Sequence, residues 1–204
     1  MNTEFRTLNG QKFFVRLWGD PSNPPLLMLH GFPEYCGAWN HIAPMLAKRF
    51  YCIAPDQRGY GQSWAPDDVE QYKGAALVSD MVALIEQLDQ QVVVFGHDWG
   101  AAVAYGLAMF HPHLVSRLII ANGVHPVPFQ REMAAGGAQS EASSYIAYLR
   151  RAESHEELAA NNFEKMMALF TARMGSDWLT PELAEENRAE WAREGRLKTM
   201  IHWY

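Results

Sequence analysis

Residues 91–101 constrain this chain more than any other stretch. Gln91-Val92-Val93-Val94-Phe95 is a short β-branched run, Gly96-His97-Asp98-Trp99-Gly100-Ala101 follows, and an alanine-rich stretch comes next. Strand, then small-x-acid-x-small, then helix is the pattern of a nucleophile elbow. The turn is so sharp that a Cβ on the flanking residues would clash. The position usually carries Ser; here it is Asp98, and that changes the chemistry. Ser attacks acyl carbon after a base has taken its proton. A carboxylate, with a reference pKa of about 3.9, is ionised without help. Attacking an sp3 carbon, it forms an ester that water can cleave, whereas Ser would leave an inert ether. Asp98 therefore points to epoxide opening or halide displacement, not to ester or peptide cleavage. The bland alternative is that Asp98 caps the following helix, a role Asp fills well.

The rest of the chain alternates between two hydrophobic periods. Strands are expected at 11–18, 26–29, 50–54, 91–95 and 118–121, and helices at 37–49, 74–89 and 99–110. The strands are nearly continuously apolar, which implies α/β class: a mostly parallel sheet with helices on both faces. After Asn122 the character changes. Gly123, Pro126, Pro128, Gly136 and Gly137 read as a hinge, and everything from 140 onward reads as amphipathic helix, with Pro181 as a helix start. The boundary falls near 125–135.

Composition excludes several partner classes. At 204 residues and 49% hydrophobic, the chain can bury one core plus a small appendage. A net charge of −6 with no basic run disfavours nucleic acid and anionic membrane. Cys36 and Cys52 make neither a metal spacing nor a disulfide framework. No cofactor or metal is expected, and a reducing, cytoplasmic location is the simplest reading. The N-terminus has no apolar signal region, and no apolar run approaches the ~20 residues of a membrane span. Oligomeric state is left open.

Two further segments end predicted strands, where open α/β sheets bind ligands. They are His30-Gly31-Phe32-Pro33-Glu34 and Asp56-Gln57-Arg58-Gly59-Tyr60-Gly61-Gln62-Ser63. With the elbow and the helices that follow, they resemble the α/β-hydrolase superfamily, and within it the epoxide hydrolases, over residues 11–204. The resemblance implies a hydrolase core at 1–130 holding the first six strands, and an incomplete helical cap at 131–204. It implies that Asp98 is the nucleophile and that the backbone N–H groups of Phe32 and Trp99 form an oxyanion hole. Pro33 would follow a cis peptide bond, and Glu34 would help position the hydrolytic water. Two cap tyrosines would donate O–H to the epoxide oxygen. The matching positions are Tyr204 and Tyr145, the latter with Tyr148 as a near rival. Phe32, Trp99 and Tyr148 would line the substrate, a small apolar epoxide or organohalide. Trp178, Trp191 and Trp203 add to an apolar pocket or simply pack the cap.

The departure from the family is at the C-terminal side. Its general-base His and the acid that orients it come from loops after two later strands, and the sequence stops at Tyr204, inside the cap. The expectation is a hydrolase that lacks its C-terminal strands and is inactive or impaired. Of the histidines present, His30 and His97 are expected to hold loops, His111 and His113 to flank a helix end, and His125 is a remote candidate for a replacement base. Two other functions stand beside epoxide opening. One is a haloalkane or haloacid dehalogenase using the same Asp, disfavoured because such enzymes usually show Asn where Phe32 stands or Arg where Trp99 stands. The other is a non-catalytic relic with the same fold.

Overall fold

The computed structural model describes residues 1–172 and 177–204. Six strands form one sheet: β1 (Asn2–Leu8), β2 (Gln11–Trp18), β3 (Pro25–Leu29), β4 (Tyr51–Pro55), β5 (Val92–His97) and β6 (Val115–Ala121), in the order β1-β2-β4-β3-β5-β6. β1 and β2 are antiparallel neighbours, β2 meets β4 antiparallel, and β4, β3, β5 and β6 are mutually parallel. Alternate residues of the inner strands feed two cores. Leu27, Leu29 and Ile53 belong to one cluster, with Leu77, Leu84, Val103 and Leu107. Leu26, Met28, Cys52 and Ala54 belong to the other, with Cys36 and Trp39. A strand that buries both its faces needs apolar residues at every position, which is why β3 reads as an unbroken run. α2 (Gly74–Glu86) and α3 (Trp99–Phe110) supply the helical side of the first cluster.

Three local expectations change. β1 escapes the sequence pass because six of its seven residues lie outside the core. Its signal was the turn: Asn9 and Gly10, both at positive φ (50° and 78°), make the two-residue hairpin loop that Asn-Gly favours. The helix expected at 37–49 is instead a 3-10 turn at Cys36–Trp39 followed by α1 (Ala43–Leu46). Pro44 has no N–H to give the carbonyl of Asn40, so a continuous helix cannot pass through it. β5 runs on to His97, so the strand delivers its last residue directly against the elbow.

After β6 the chain is helical: α4 (Pro126–Ala135), α5 (Ala138–Ala142), α6 (Tyr145–Leu149), α7 (Ser154–Thr171), α8 (Pro181–Trp191) and α9 (Arg196–Ile201). α7 is interrupted at Asn161, Asn162 and Phe163, which all have left-handed φ. Leu149, Leu158, Met166, Trp191, Leu197 and Met200 join the first core cluster, so these helices share one continuous apolar interior with that side of the core. No helix among the described residues is long and apolar enough to cross a membrane. Cys36 and Cys52 are both buried thiols.

β6 is a sheet edge, hydrogen-bonded to β5 along one side, and its Ile119 is 44% exposed. Such an edge recruits a second chain. We expect the 204-residue chain to self-associate as its concentration rises, and Ile119→Lys to move it toward monomer. Sedimentation velocity reads the difference. Equal association in both forms would place the contact elsewhere.

Candidate active site

The three motifs meet because β4, β3 and β5 are adjacent and parallel, so the loops leaving their carboxyl ends share one rim of the sheet. Asp98 sits on the elbow between β5 and α3 with φ 50° and ψ −119°. A non-glycine residue there costs about 1–3 kcal/mol and persists only when its surroundings enforce it. They do so by close approach. A Cβ on Gly100 would lie 2.2 Å from the carbonyl oxygen of Leu29, and one on Gly31 would lie 2.3 Å from the Cβ of Asp98.

The Asp98 side chain makes none of the usual capping bonds to α3. It turns instead to the first motif, where the Phe32 N–H donates to its Oδ1 at 2.9 Å. Phe32 precedes Pro33 through a cis peptide bond. Burial pushes the Asp98 pKa up, while the Phe32 and Trp99 amides and the neighbouring His97 pull it back. The net shift is upward. The carboxylate is therefore harder to ionise than its sequence alone suggests.

That shift has a consequence for stability. The folded state holds a proton that the unfolded chain releases in the ordinary carboxylate range. The contribution of Asp98 to stability therefore falls as pH rises from that range through the raised folded value. Asp98→Asn keeps the shape and an acceptor for Phe32 but removes the charge. We expect it to raise the melting temperature at pH 7 by about 2–4 °C, roughly 1 kcal/mol, with the gain shrinking toward pH 4. A calorimetric melt at or below the parent value at pH 7 would contradict this.

Beside Asp98, Glu34 Oε2 and His97 Nδ1 lie 2.9 Å apart, both partly buried. The Glu34 carboxylate raises the His97 pKa. Above them a cavity of about 410 Å³ is lined by Phe32, Glu34, His97, Asp98, Tyr145 and Tyr204, with Leu169 and Phe170 of α7 closing it. The Tyr204 ring packs edge-on against Phe32 and Trp99, each at 5.2 Å, and its centroid lies 6.0 Å from that of Tyr145. Burial, and then the charge of Asp98, hold the Tyr204 phenol well above its ordinary pKa. A second cavity, about 360 Å³, shares Glu34, His97 and Phe170 but opens toward Trp39, Phe95 and Trp178 and does not touch Asp98.

Tyr148 is not in this wall. Its hydroxyl donates to Glu157 at 3.1 Å, and the Arg151 guanidinium lies over its ring at 5.4 Å. The charges at the head of α7 draw it away, and Tyr145 is the α6 tyrosine that faces the cavity. His30 is fully buried and holds loops. Its Nε2 accepts the Gln57 N–H at 3.1 Å, and its Nδ1 lies 3.0 Å from the Gly31 carbonyl. His125 caps α4 by accepting the Val127 N–H and packs on Tyr105, away from Asp98. His97 pairs with Glu34 of the first motif loop, as a loop-holding residue would, and it also lines the cavity.

The second motif braces the rim. Asp56 accepts the N–H groups of Cys36 and Gln62, at 2.9 and 3.0 Å. Arg58 forms a buried ion pair with Asp80 at 2.8 Å. Sequence reasoning missed Leu169, Phe170 and Asn122 in the cavity wall. The first two are apolar positions on a helix and carry no signal that separates them from core. Asn122, directly after β6, sits at φ 52°, and an Asn after a strand is a detectable hint of such a turn.

Residues 24–192 match the family described as the alpha/beta hydrolase fold. The chain is 33% identical over 204 residues to the AB hydrolase superfamily protein YfhM of Bacillus subtilis (strain 168), covering 98% of this chain and 71% of that protein. It is 31% identical over 204 residues to epoxide hydrolase 4 of Homo sapiens, covering 96% of this chain and 56% of the human protein. Among solved structures, an epoxide hydrolase from Bacillus megaterium in complex with its diol product, a naphthyloxy-propane-1,2-diol, superposes with a TM-score of 0.90 at 27% identity, over 98% of this chain and 70% of that one. An epoxide hydrolase from hot-environment metagenomes gives 0.88 at 32% identity, over all of this chain and 70% of that one. An acid-bearing elbow on this sheet, matched along nearly its whole length by such relatives, makes the chain a member of the α/β-hydrolase fold family, of the epoxide hydrolase-like kind.

Proposed function

We propose that this chain opens epoxides through a covalent ester on Asp98, with residues 1–130 as the hydrolase core and 131–204 as its helical cap. The observation that carries the reading is the convergence of the Asp98 carboxylate and two phenols, Tyr145 and Tyr204, on a single cavity. Opening an epoxide needs both a nucleophile at carbon and an acid at oxygen. Displacing a halide needs only the first. The Phe32 amide occupies Oδ1, so Oδ2 attacks. It bonds to an epoxide carbon, the C–O bond breaks, and the alkoxide takes a proton from a tyrosine, leaving a hydroxyalkyl ester and a tyrosinate. Water then adds to Cγ, and Oδ1 carries the negative charge toward the Phe32 and Trp99 amides. A base takes one proton of the water and gives it to the alkoxide oxygen as the tetrahedral adduct collapses, the water's other proton returns to the tyrosinate, and the vicinal diol leaves with Asp98 restored as a carboxylate. Glu34, paired with His97, is placed to hold that water. The aryloxy diol bound to the Bacillus megaterium relative and the aromatic lining here favour a small apolar substrate.

The tyrosines separate epoxide chemistry from halide chemistry. Tyr204→Phe and Tyr145→Phe should each slow covalent labelling by an epoxide by about tenfold or more, out of the 10²–10⁴ typical of acid catalysis. Labelling by an alkyl bromide of the same carbon skeleton should be unaffected. Intact-protein mass spectrometry follows both reactions. Equal slowing of the two, or none for the epoxide, would remove the acid role and favour the dehalogenase reading.

A further inference from the structure

The first motif loop carries two groups of the site, the Phe32 amide and the Glu34 side chain, and the chain pins it from outside. Trp191, the last residue of α8, is 2% exposed and donates its indole N–H to the carbonyl of Pro33 at 2.7 Å. That carbonyl belongs to the same rigid peptide plane as the Glu34 N–H, which donates to the Gly31 carbonyl at 3.0 Å. Both ends of one peptide are therefore fixed. On one side of it the Phe32 amide reaches Asp98 at 2.9 Å; on the other the Glu34 carboxylate reaches His97 at 2.9 Å. The Trp191 ring is itself wedged 5.9 Å from Phe163, at the break in α7, and 5.9 Å from Phe170, a wall of the cavity.

We infer that Trp191 is a positioning residue for the Asp98 site, its indole N–H holding the Pro33–Glu34 peptide so that the Phe32 amide and the Glu34–His97 pair both stay in register with the nucleophile. The inference rests on the reading of Asp98 as nucleophile for its kinetic part only; the geometric part stands alone. Without the N–H, the Pro33 carbonyl is left buried and unpaired, a state that drives local rearrangement. Small displacements of reacting groups are costly to rate. Two properties should move together: the rate at which an epoxide esterifies Asp98, and the titration of His97.

The test compares Trp191→Phe with Thr199→Val. Thr199 donates its hydroxyl to the Gly59 carbonyl at 2.8 Å, so its variant loses a similar buried donor from the neighbouring helix without touching the first loop. In Trp191→Phe, epoxide labelling of Asp98 should slow about tenfold. The His97 imidazole, followed by NMR, should titrate nearer its ordinary range as Glu34 is released. Thr199→Val should change neither. If Trp191→Phe does not fold, site-specific benzothienylalanine at 191 keeps the bicyclic shape and removes only the N–H. Labelling within twofold of the parent with an unmoved His97 titration would overturn the inference, as would equal effects from Thr199→Val. If the parent does not label at all, the nucleophile reading fails, and the His97 titration alone still decides whether Trp191 holds the loop.

Discussion

Incubated with a styrene-oxide-type probe, the 204-residue chain is expected to gain the mass of one probe on the peptide that contains Asp98, and Asp98→Asn to gain none. Everything this half-reaction needs is in the cavity: the carboxylate, an amide that holds its Oδ1, and two phenols. The pH dependence is a second signature. The nucleophile is the anion, and burial raises the pKa of Asp98, so the labelling rate should rise with pH through a range above that of an exposed aspartate. The phenol of Tyr204 is held well above its usual pKa, so it remains an acid where an ordinary tyrosine would begin to ionise. The rate should then stay level into alkaline solution. Labelling that is equal in Asp98→Asn, or that already stands at its plateau near pH 4, would return Asp98 to a structural role.

The parts of this site legible in the sequence are those carried by backbone. The elbow follows from its glycines and the strand before it, while the Phe32 amide and the cis bond before Pro33 are what the family resemblance implies, and the structure has both beside Asp98. β3 reads clearly because it is buried on two faces, and β5 because Val92, Val93 and Val94 make a β-branched run. β1 does not, since residues such as Thr3, Glu4 and Arg6 face outward and only the Asn9-Gly10 turn announces it. Side-chain placement in the helical half is the illegible part. Tyr145 and Tyr148 are three residues apart on one short helix, and what separates them is Glu157, which takes the Tyr148 hydroxyl. Trp191 looks like one more apolar residue on an amphipathic helix. Its partner, Pro33, lies 158 positions away, and no local pattern encodes that meeting.

The second half-reaction should fail where the first succeeds. Once the ester forms, water must attack Cγ and surrender a proton. General-base assistance is typically worth 10²–10⁴-fold. Neither ring nitrogen of His30 is available, since one accepts the Gln57 amide and the other faces the Gly31 carbonyl. His125 caps α4 away from the cavity. His97 lines it, but its Nδ1 is committed to Glu34, and that carboxylate raises the pKa of the ring, so the ring holds its proton more tightly than a free imidazole. With these residues alone, ester should form in a burst of about one equivalent, followed by diol release at least ~10²-fold slower than turnover by a longer relative such as the Bacillus megaterium enzyme. Quenched-flow with mass detection reads both phases on one sample. Steady turnover at the relative's rate would show that a base is at work among these residues. If His125→Ala abolished that turnover, α4 would have to reach the ester in solution; if His97→Gln did so, the Glu34–His97 pair would be the base itself.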